Sequence, residues 1–300
     1  MKTTLRTEVL VLLPLAVGCA SLPAEAPSAS IVSSFPTHEP ATRPATAAQA
    51  VQDPAEAGAD KEALAKKLAN PIAALISVPF QLNYDEDIGP GEGERWTLNV
   101  QPVVPFSLSA DWNVISRTIL PLIDQEDIPA GEDETGTGDI VQSLFFSPIA
   151  PTKSGWIWGA GPVFLIPTAS DETLGAEQWG IGPTAVALKQ EGPWTYGALV
   201  NHIWSFAGDD DRADVNATFL QPFMGYTTPS ATTFTLNSES TYDWEEDELS
   251  APVNAVVSQV MKLGGQLVSI GGGLRYWVED SDTGPEGLGF RFFVTLLFPR

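Results

Sequence analysis

From residue 72 to the end, apolar and polar positions alternate with a period of two. Ile76, Val78, Phe80, Leu82 and Tyr84 are separated by Ser77, Pro79, Gln81, Asn83 and Asp85. Trp96, Leu98, Val100, Pro102, Val104, Phe106 and Leu108 continue the pattern against Thr97, Asn99, Gln101 and Val103. Successive side chains of a strand point to opposite faces, so this alternation predicts β-structure with one apolar and one more polar face. Less regular segments at 112–123, 139–149, 155–168 and 178–190 lead to a clear one at 194–206. Further segments at 215–227, 231–242, 251–262, 266–278 and 287–298 complete a set of twelve predicted strands. The last, FRFFVTLLFPR (290–300), places Leu288, Phe290, Phe292, Val294, Leu296 and Phe298 on one face and Arg291 and Thr295 on the other.

Strand length separates two all-β architectures. Soluble strands run about 5–6 residues, whereas a tilted transmembrane strand needs about 9–11. The segments here are of the longer kind. Their connections alternate strictly between long and short: DEDIGPGEGE, DQEDIPAGEDETGTG, ASDETLGAE, GDDDRAD, DWEEDELS and EDSDTGPEG against SAD, APTKS, EGP, PSA and LGG. Twenty-seven of the 38 acids fall in these six long connections and Asp139 directly follows the second, so one rim carries most of the negative charge. Long extracellular loops, short periplasmic turns, an even strand count and both termini on the periplasmic side are the marks of an antiparallel up-and-down outer-membrane β-barrel. The expectation is such a barrel over residues 72–300, its last strand pairing with its first so that no sheet edge remains.

Tryptophan placement agrees with this reading. Trp96, Trp179, Trp204 and Trp277 fall near the long-loop ends of strands, and Trp112, Trp156 and Trp194 near the short-turn ends. Two aromatic belts at the membrane interfaces are expected, with outer-membrane lipids as partners.

Ahead of the barrel the pattern changes. Lys2 and Arg6 precede VLVLLPLAVG (9–18), an apolar run too short to span a bilayer as a helix, and residues 1–19 read as an export signal. Cys19, the only cysteine, follows Gly18 and resembles the end of a bacterial lipoprotein box; lipidation at Cys19 and ordinary cleavage after Ala20 both fit. Residues 20–58 are rich in Ala, Pro, Ser and Thr and read as a disordered periplasmic linker. DKEALAKKLANP lies within a predicted short helix over 59–71 that leads into the first strand.

Several stretches resemble a bacterial envelope family. LAKKLANPIAALISVPFQLNYD (64–85), ISRTILPLI (115–123), SLFFSP (143–148) and NHIWSFAGD (201–209) are similar to it, as are TFLQPFMGYTTP (218–229), TLNSESTYDW (235–244) and LGFRFFVTLLFP (288–299). Its members are labelled "transporter", or "neuromedin U" through a misnomer, and are related to outer-membrane proteins linked to the meta-pathway of phenol degradation. The resemblance covers about residues 62–300 and implies an outer-membrane barrel with a transport role. It implies no substrate and no catalytic residue.

Composition narrows the chemistry. A formal charge of −23 speaks against nucleic acid as a partner, since a phosphate-binding face must be basic. His38 lies in the linker, and His202 and Ser205 have opposite strand parity, so a nucleophile–base pair is not formed there and no enzyme is expected. No cofactor is expected either; the acidic loops offer weak Ca²⁺ or Mg²⁺ binding or are simply solvated. The informative place is the polar inner face, where Gln101, Arg117, Asn237, Glu239, Arg275 and Arg291 are candidates for a constriction. Charges at membrane depth must avoid lipid, where a cation costs about 2–4 kcal/mol. Two readings stay open: a passage for small, partly organic or aromatic solutes, with Ile115, Ile119 and Phe293 adding apolar wall, or a closed structural or adhesive barrel filled by salt bridges. The C-terminal aromatic Phe298 resembles the signal read by the barrel-assembly machinery, although Pro299 and Arg300 follow it.

Overall fold

The structure, a computed structural model, describes residues 54–298. The expected signal segment, Cys19 and most of the linker lie outside the described residues. Helix α1 (Pro54–Leu68) is followed by twelve antiparallel strands. These are β1 (Ile76–Ile88), β2 (Gly93–Val100 and Val103–Ser107), β3 (Trp112–Glu126), β4 (Glu134–Thr137 and Ile140–Pro148), β5 (Trp156–Ile166) and β6 (Gln178–Glu191). The second half comprises β7 (Trp194–Gly208), β8 (Asn216–Thr227), β9 (Thr232–Ser238 and Ser240–Asp243), β10 (Glu248–Leu263), β11 (Gln266–Glu279) and β12 (Leu288–Phe298). Each strand pairs with the next, and β12 pairs with β1 in a register running from Phe298↔Ile76 to Phe290↔Tyr84. The barrel is closed, and every strand edge is covered.

The alternation read in the sequence is the in–out alternation of this wall. On β12, Phe290, Phe292 and Phe298 are exposed on the outside while Arg291 and Leu297 are 4% and 1% exposed inside. The interruption of β2 follows from Pro102, which has no N–H to give to the ladder. Its neighbour Gln101 still reaches across, its N–H donating to the Pro79 carbonyl at 2.9 Å. Short turns close one end tightly. Gly264 and Gly265 both sit at positive φ (54° and 96°), the backbone a two-residue hairpin needs to match the strand twist.

Strand ends correct the expected boundaries. β1 continues to Ile88, β3 to Glu126 and β10 starts at Glu248, so several acids expected in solvated loops lie within strands. A strand runs as far as its neighbour supplies hydrogen bonds, and local polarity does not stop it. The helix is also displaced from the expected 59–71: it starts at Pro54 and ends at Leu68. Proline is well suited to a first helical turn, where its missing N–H costs nothing. At the other end Asn70 precedes Pro71, a position that disfavours helical backbone, and its side chain accepts the Ile72 N–H at 3.0 Å.

α1 is more than a lead-in. Leu64 and Ala65 are buried with Leu75, Ala231, Val260 and Leu297, inside the short-turn end of the barrel. Ile72 is buried in a second cluster with Ile115, Phe145, Val186, Leu188 and Leu199, contributed by β3, β4, β6 and β7. The segment 64–75 therefore touches the wall at separate places around that mouth. Gln190 of β6 adds a hydrogen bond from its amide to the Lys66 carbonyl at 2.7 Å. Burying side chains such as Leu64 and Ile72 stabilises this seat by about 1.5–3 kcal/mol each.

Candidate functional site

The site is built by strand parity. β1, β2, β9, β11 and β12 turn every second residue inward, and their polar positions meet in one band of the lumen. Arg291 is the centre. Its Nη1 and Nη2 donate to Glu239 Oε1 and Oε2 at 2.8 and 2.6 Å, and its Nε donates to Asn83 Oδ1 at 2.8 Å. A forked guanidinium on a carboxylate is a strong, directional pair. Gln221 approaches the same carboxylate at 3.4 Å. Beside Arg291 on the neighbouring strand, Arg275 Nη1 lies 3.4 Å from Asp85 Oδ2, and the Trp277 indole N–H donates to Asp85 Oδ1 at 2.9 Å. The Arg275 guanidinium carbon sits 4.4 Å from the Trp277 ring centroid, a cation–π contact. Its Nε is buried and has no hydrogen-bond partner.

The remaining candidates lie on the same inner face. Arg117 Nη2 donates to Gln101 Oε1 at 3.0 Å. Asn237 accepts from the fully buried Asn254 at 2.8 Å. Thus Arg291, Glu239 and Arg275 stand in one charged cluster, Arg117 and Gln101 form a separate pair, and Asn237 belongs to an amide pair.

Three residues carry more than the sequence reading gave them. Asp85 was expected in a solvated acidic loop; it is 7% exposed and faces inward. Trp277 was expected in an aromatic belt; it stands at an inward position, its ring against Arg275 and its N–H on Asp85. The outward residues of β11 are Leu274, Tyr276 and Val278, all exposed, so the parity of 277 decides the matter. Arg95, which the reading omitted, donates from Nε to Gln125 Oε1 at 3.1 Å in the same band. Both additions were visible in principle, since Asp85 extends Gln81–Asn83 and Arg95 extends Thr97–Asn99 by two. The other named tryptophans, Trp96, Trp112, Trp156, Trp179, Trp194 and Trp204, are exposed on the outer face near strand ends. Trp194 and Tyr226 meet edge to face, as do Trp156 and Tyr196.

Two cavities flank the charged band. One of about 260 Å³ is lined by Asn83, Asp85, Arg95, Asn99, Glu239 and Trp277. The other, about 270 Å³, lies toward the short-turn end, with Gln101, Val103, Arg117, Phe223 and Phe293 on the wall and Lys67 from the helix. Phe293 fits because Gly271 has no side chain; a Cβ there would run into the ring.

Loop acids do local structural work. Asp139 accepts the backbone N–H groups of Thr168, Ala169 and Ala176, at 3.0, 3.0 and 2.7 Å. Arg212 caps the Glu172 and Gly175 carbonyls at 2.8 and 2.7 Å and pairs with Glu177 at 3.3 Å. Asp171 accepts from the backbone N–H and the hydroxyl of Thr173, which hold its carboxyl below the ordinary carboxylate value.

No protein-family model matches the chain, and no curated protein sequence does either. Solved structures do match. A COG4313 outer membrane channel from Pseudomonas putida F1 aligns with a TM-score of 0.60 and 15% identity, over 75% of this chain and 96% of that one. Outer membrane phospholipase A from Escherichia coli aligns at 0.46 and 11%, over 74% and 90%, and the Salmonella typhi enzyme at 0.45 and 12%, over 74% and 91%. The first of these likenesses shows the fold, that of an outer-membrane β-barrel. The expectation that the chain is no enzyme is corrected: enzymes are among the barrels it matches, so this architecture does not exclude catalysis, and at these scores it shows no activity either. His202, used for that exclusion, lies at an outward position, with Nδ1 2.7 Å from the Thr218 hydroxyl and its ring 4.0 Å from that of Trp204. Ser205 is bonded instead to Asp214 at 2.9 Å.

Proposed function

We propose that this chain is a passive outer-membrane channel for small organic solutes. The observation that carries the reading is the lumen: polar and charged groups at its middle, and a cavity of about 270 Å³ walled partly by Phe223, Phe293 and Val103. Such a mixed lining suits a solute with an apolar body and a polar end. The fold likeness to a protein described as an outer membrane channel supports it, as does the sequence resemblance to envelope "transporter" proteins. In this reading the acidic connections are extracellular and the termini periplasmic.

One observation favours a second reading. Segment 64–75 is seated in the short-turn mouth, and Arg291 and Glu239 bridge the lumen, which suits a closed barrel. Single-channel recording in planar bilayers separates the two. Discrete conductance steps from the purified barrel, and liposome swelling that discriminates among sugars, amino acids and aromatics, are expected of the channel. A barrel that inserts and never conducts overturns it.

A further inference from the structure

The charges that line the lumen do not balance. The two cavities present Lys67, Arg95, Arg117 and Arg275 against Asp85 and Glu239. Glu239 is already occupied by Arg291 through two hydrogen bonds, and Asp85 is shared by Arg275 and Trp277. Among the described residues, Lys67, Arg95 and Arg117 have no carboxylate within 4.0 Å. In a chain of net charge −23, the inside of the barrel therefore carries an excess of positive charge.

These cations are spaced along the axis. Arg95 lies toward the acidic-loop end of β2, while Arg117 is bonded to Gln101, six residues further along that strand. At about 3.3 Å per residue and a tilt near 40°, that separation is about 15 Å along the barrel. Lys67 follows on the helix at the far mouth. A guanidinium has five N–H donors. Arg117 spends one on Gln101, and the side chain borders a cavity that Phe223 and Phe293 also line. A half-buried guanidinium with unused donors beside a hollow walled partly by aromatic rings is a receptor for a planar oxyanion.

Resting on the reading of the lumen as the passage, we propose that this lumen selects small organic monocarboxylates, the carboxylate taken by Arg117 and the apolar body by the hollow beside Phe293 and Phe223. Arg95 receives the anion from the acidic rim side, and Lys67 draws it onward. The rim works against entry by like-charge repulsion, which salt screens within about 8–10 Å, so selectivity is set by the lumen.

The test uses the full-length purified protein in planar bilayers under a KCl gradient. The expected reversal potential has the sign of chloride preference, and Arg117→Gln shifts it toward potassium. Benzoate is expected to block the chloride current, and the uncharged benzamide is not. Loss of charge-assisted hydrogen bonds in Arg117→Gln weakens the block about tenfold or more. A heat-dependent gel shift confirms that the variant is folded; if it is not, Arg95→Gln replaces it, with the same expected shift toward potassium. A conducting wild type that prefers potassium, or a benzoate block indifferent to Arg117→Gln, overturns the inference and leaves the channel intact. A barrel that never conducts overturns the channel instead, and calorimetry of benzoate on the detergent-solubilised barrel then decides: binding that Arg117→Gln weakens supports the carboxylate site, and no binding overturns it.

Discussion

Arg291 and Glu239 face each other across the inside of the barrel, joined by hydrogen bonds of 2.8 and 2.6 Å, although β12 and β9 are separated in the wall by two strands. The pair ties non-adjacent parts of the sheet together in a place where the arginine side chain is 3% exposed. Removing one partner of a buried pair leaves the other charge uncompensated, at about 3–5 kcal/mol. Glu239→Gln is therefore expected to lower the temperature of the heat-dependent gel shift clearly. The double change Glu239→Leu with Arg291→Met is expected to lie closer to wild type. A double variant weaker than the single one would show that the pair contributes more than mutual compensation.

Lipid and lumen faces should answer differently to the same new charge. Phe292 is exposed on the outer wall and Thr235 lines the inner cavity. Phe292→Arg places a cation in hydrocarbon, at about 2–4 kcal/mol near the midplane. Thr235→Arg puts it in the lumen. Urea unfolding in liposomes is expected to show a lowered midpoint for the first and a smaller change for the second.

Phe298 and Phe293 should separate assembly from passage. Phe298 is an exposed outward aromatic at the end of the closing strand, whereas Phe293 narrows the lumen over Gly271. Membrane yield is expected to fall for Phe298→Ala and to hold for Phe293→Ala. Phe293→Ala is expected to raise conductance by enlarging the cavity.

The segment at the short-turn mouth is held by buried apolar contacts, so charge should release it. Leu64→Asp combined with Ile72→Asp puts carboxylates into sites that cannot solvate them. The wall itself is untouched, and the gel shift should persist. Conductance is expected to rise; an unchanged value would show that the segment does not obstruct the passage.

In the loop between β5 and β6, Asp171 gives a pH signature. Its bonds from Thr173 depress the folded-state value, so their contribution is present above the ordinary carboxylate range near pH 4 and is lost as pH falls through the lower folded value. Protease cleavage of this loop is expected to quicken below that point, and Asp171→Asn is expected to flatten the dependence.

The sequence by itself determined the wall. A period of two assigns each residue of a strand to one face, and alternating connection lengths assign each strand to its hairpin. The closing role of 288–298 and the inward placement of Arg117, Glu239, Arg275 and Arg291 were therefore legible from local order alone. Where strands end was not, because a strand stops where its partner stops. Asp85 thus passed from a presumed loop position into the lumen, Arg95, which the reading had not placed, joined it there, and Trp277, near a strand end like the belt tryptophans, proved to be an inward residue. Only the tertiary structure decided which inward groups meet. Closure and strand stagger bring Arg291 to Glu239 across the lumen, fold residues 64–75 into the mouth, and leave Arg117 facing a cavity with no carboxylate beside it. Distances across a lumen are a property of the closed sheet, and no single strand encodes them.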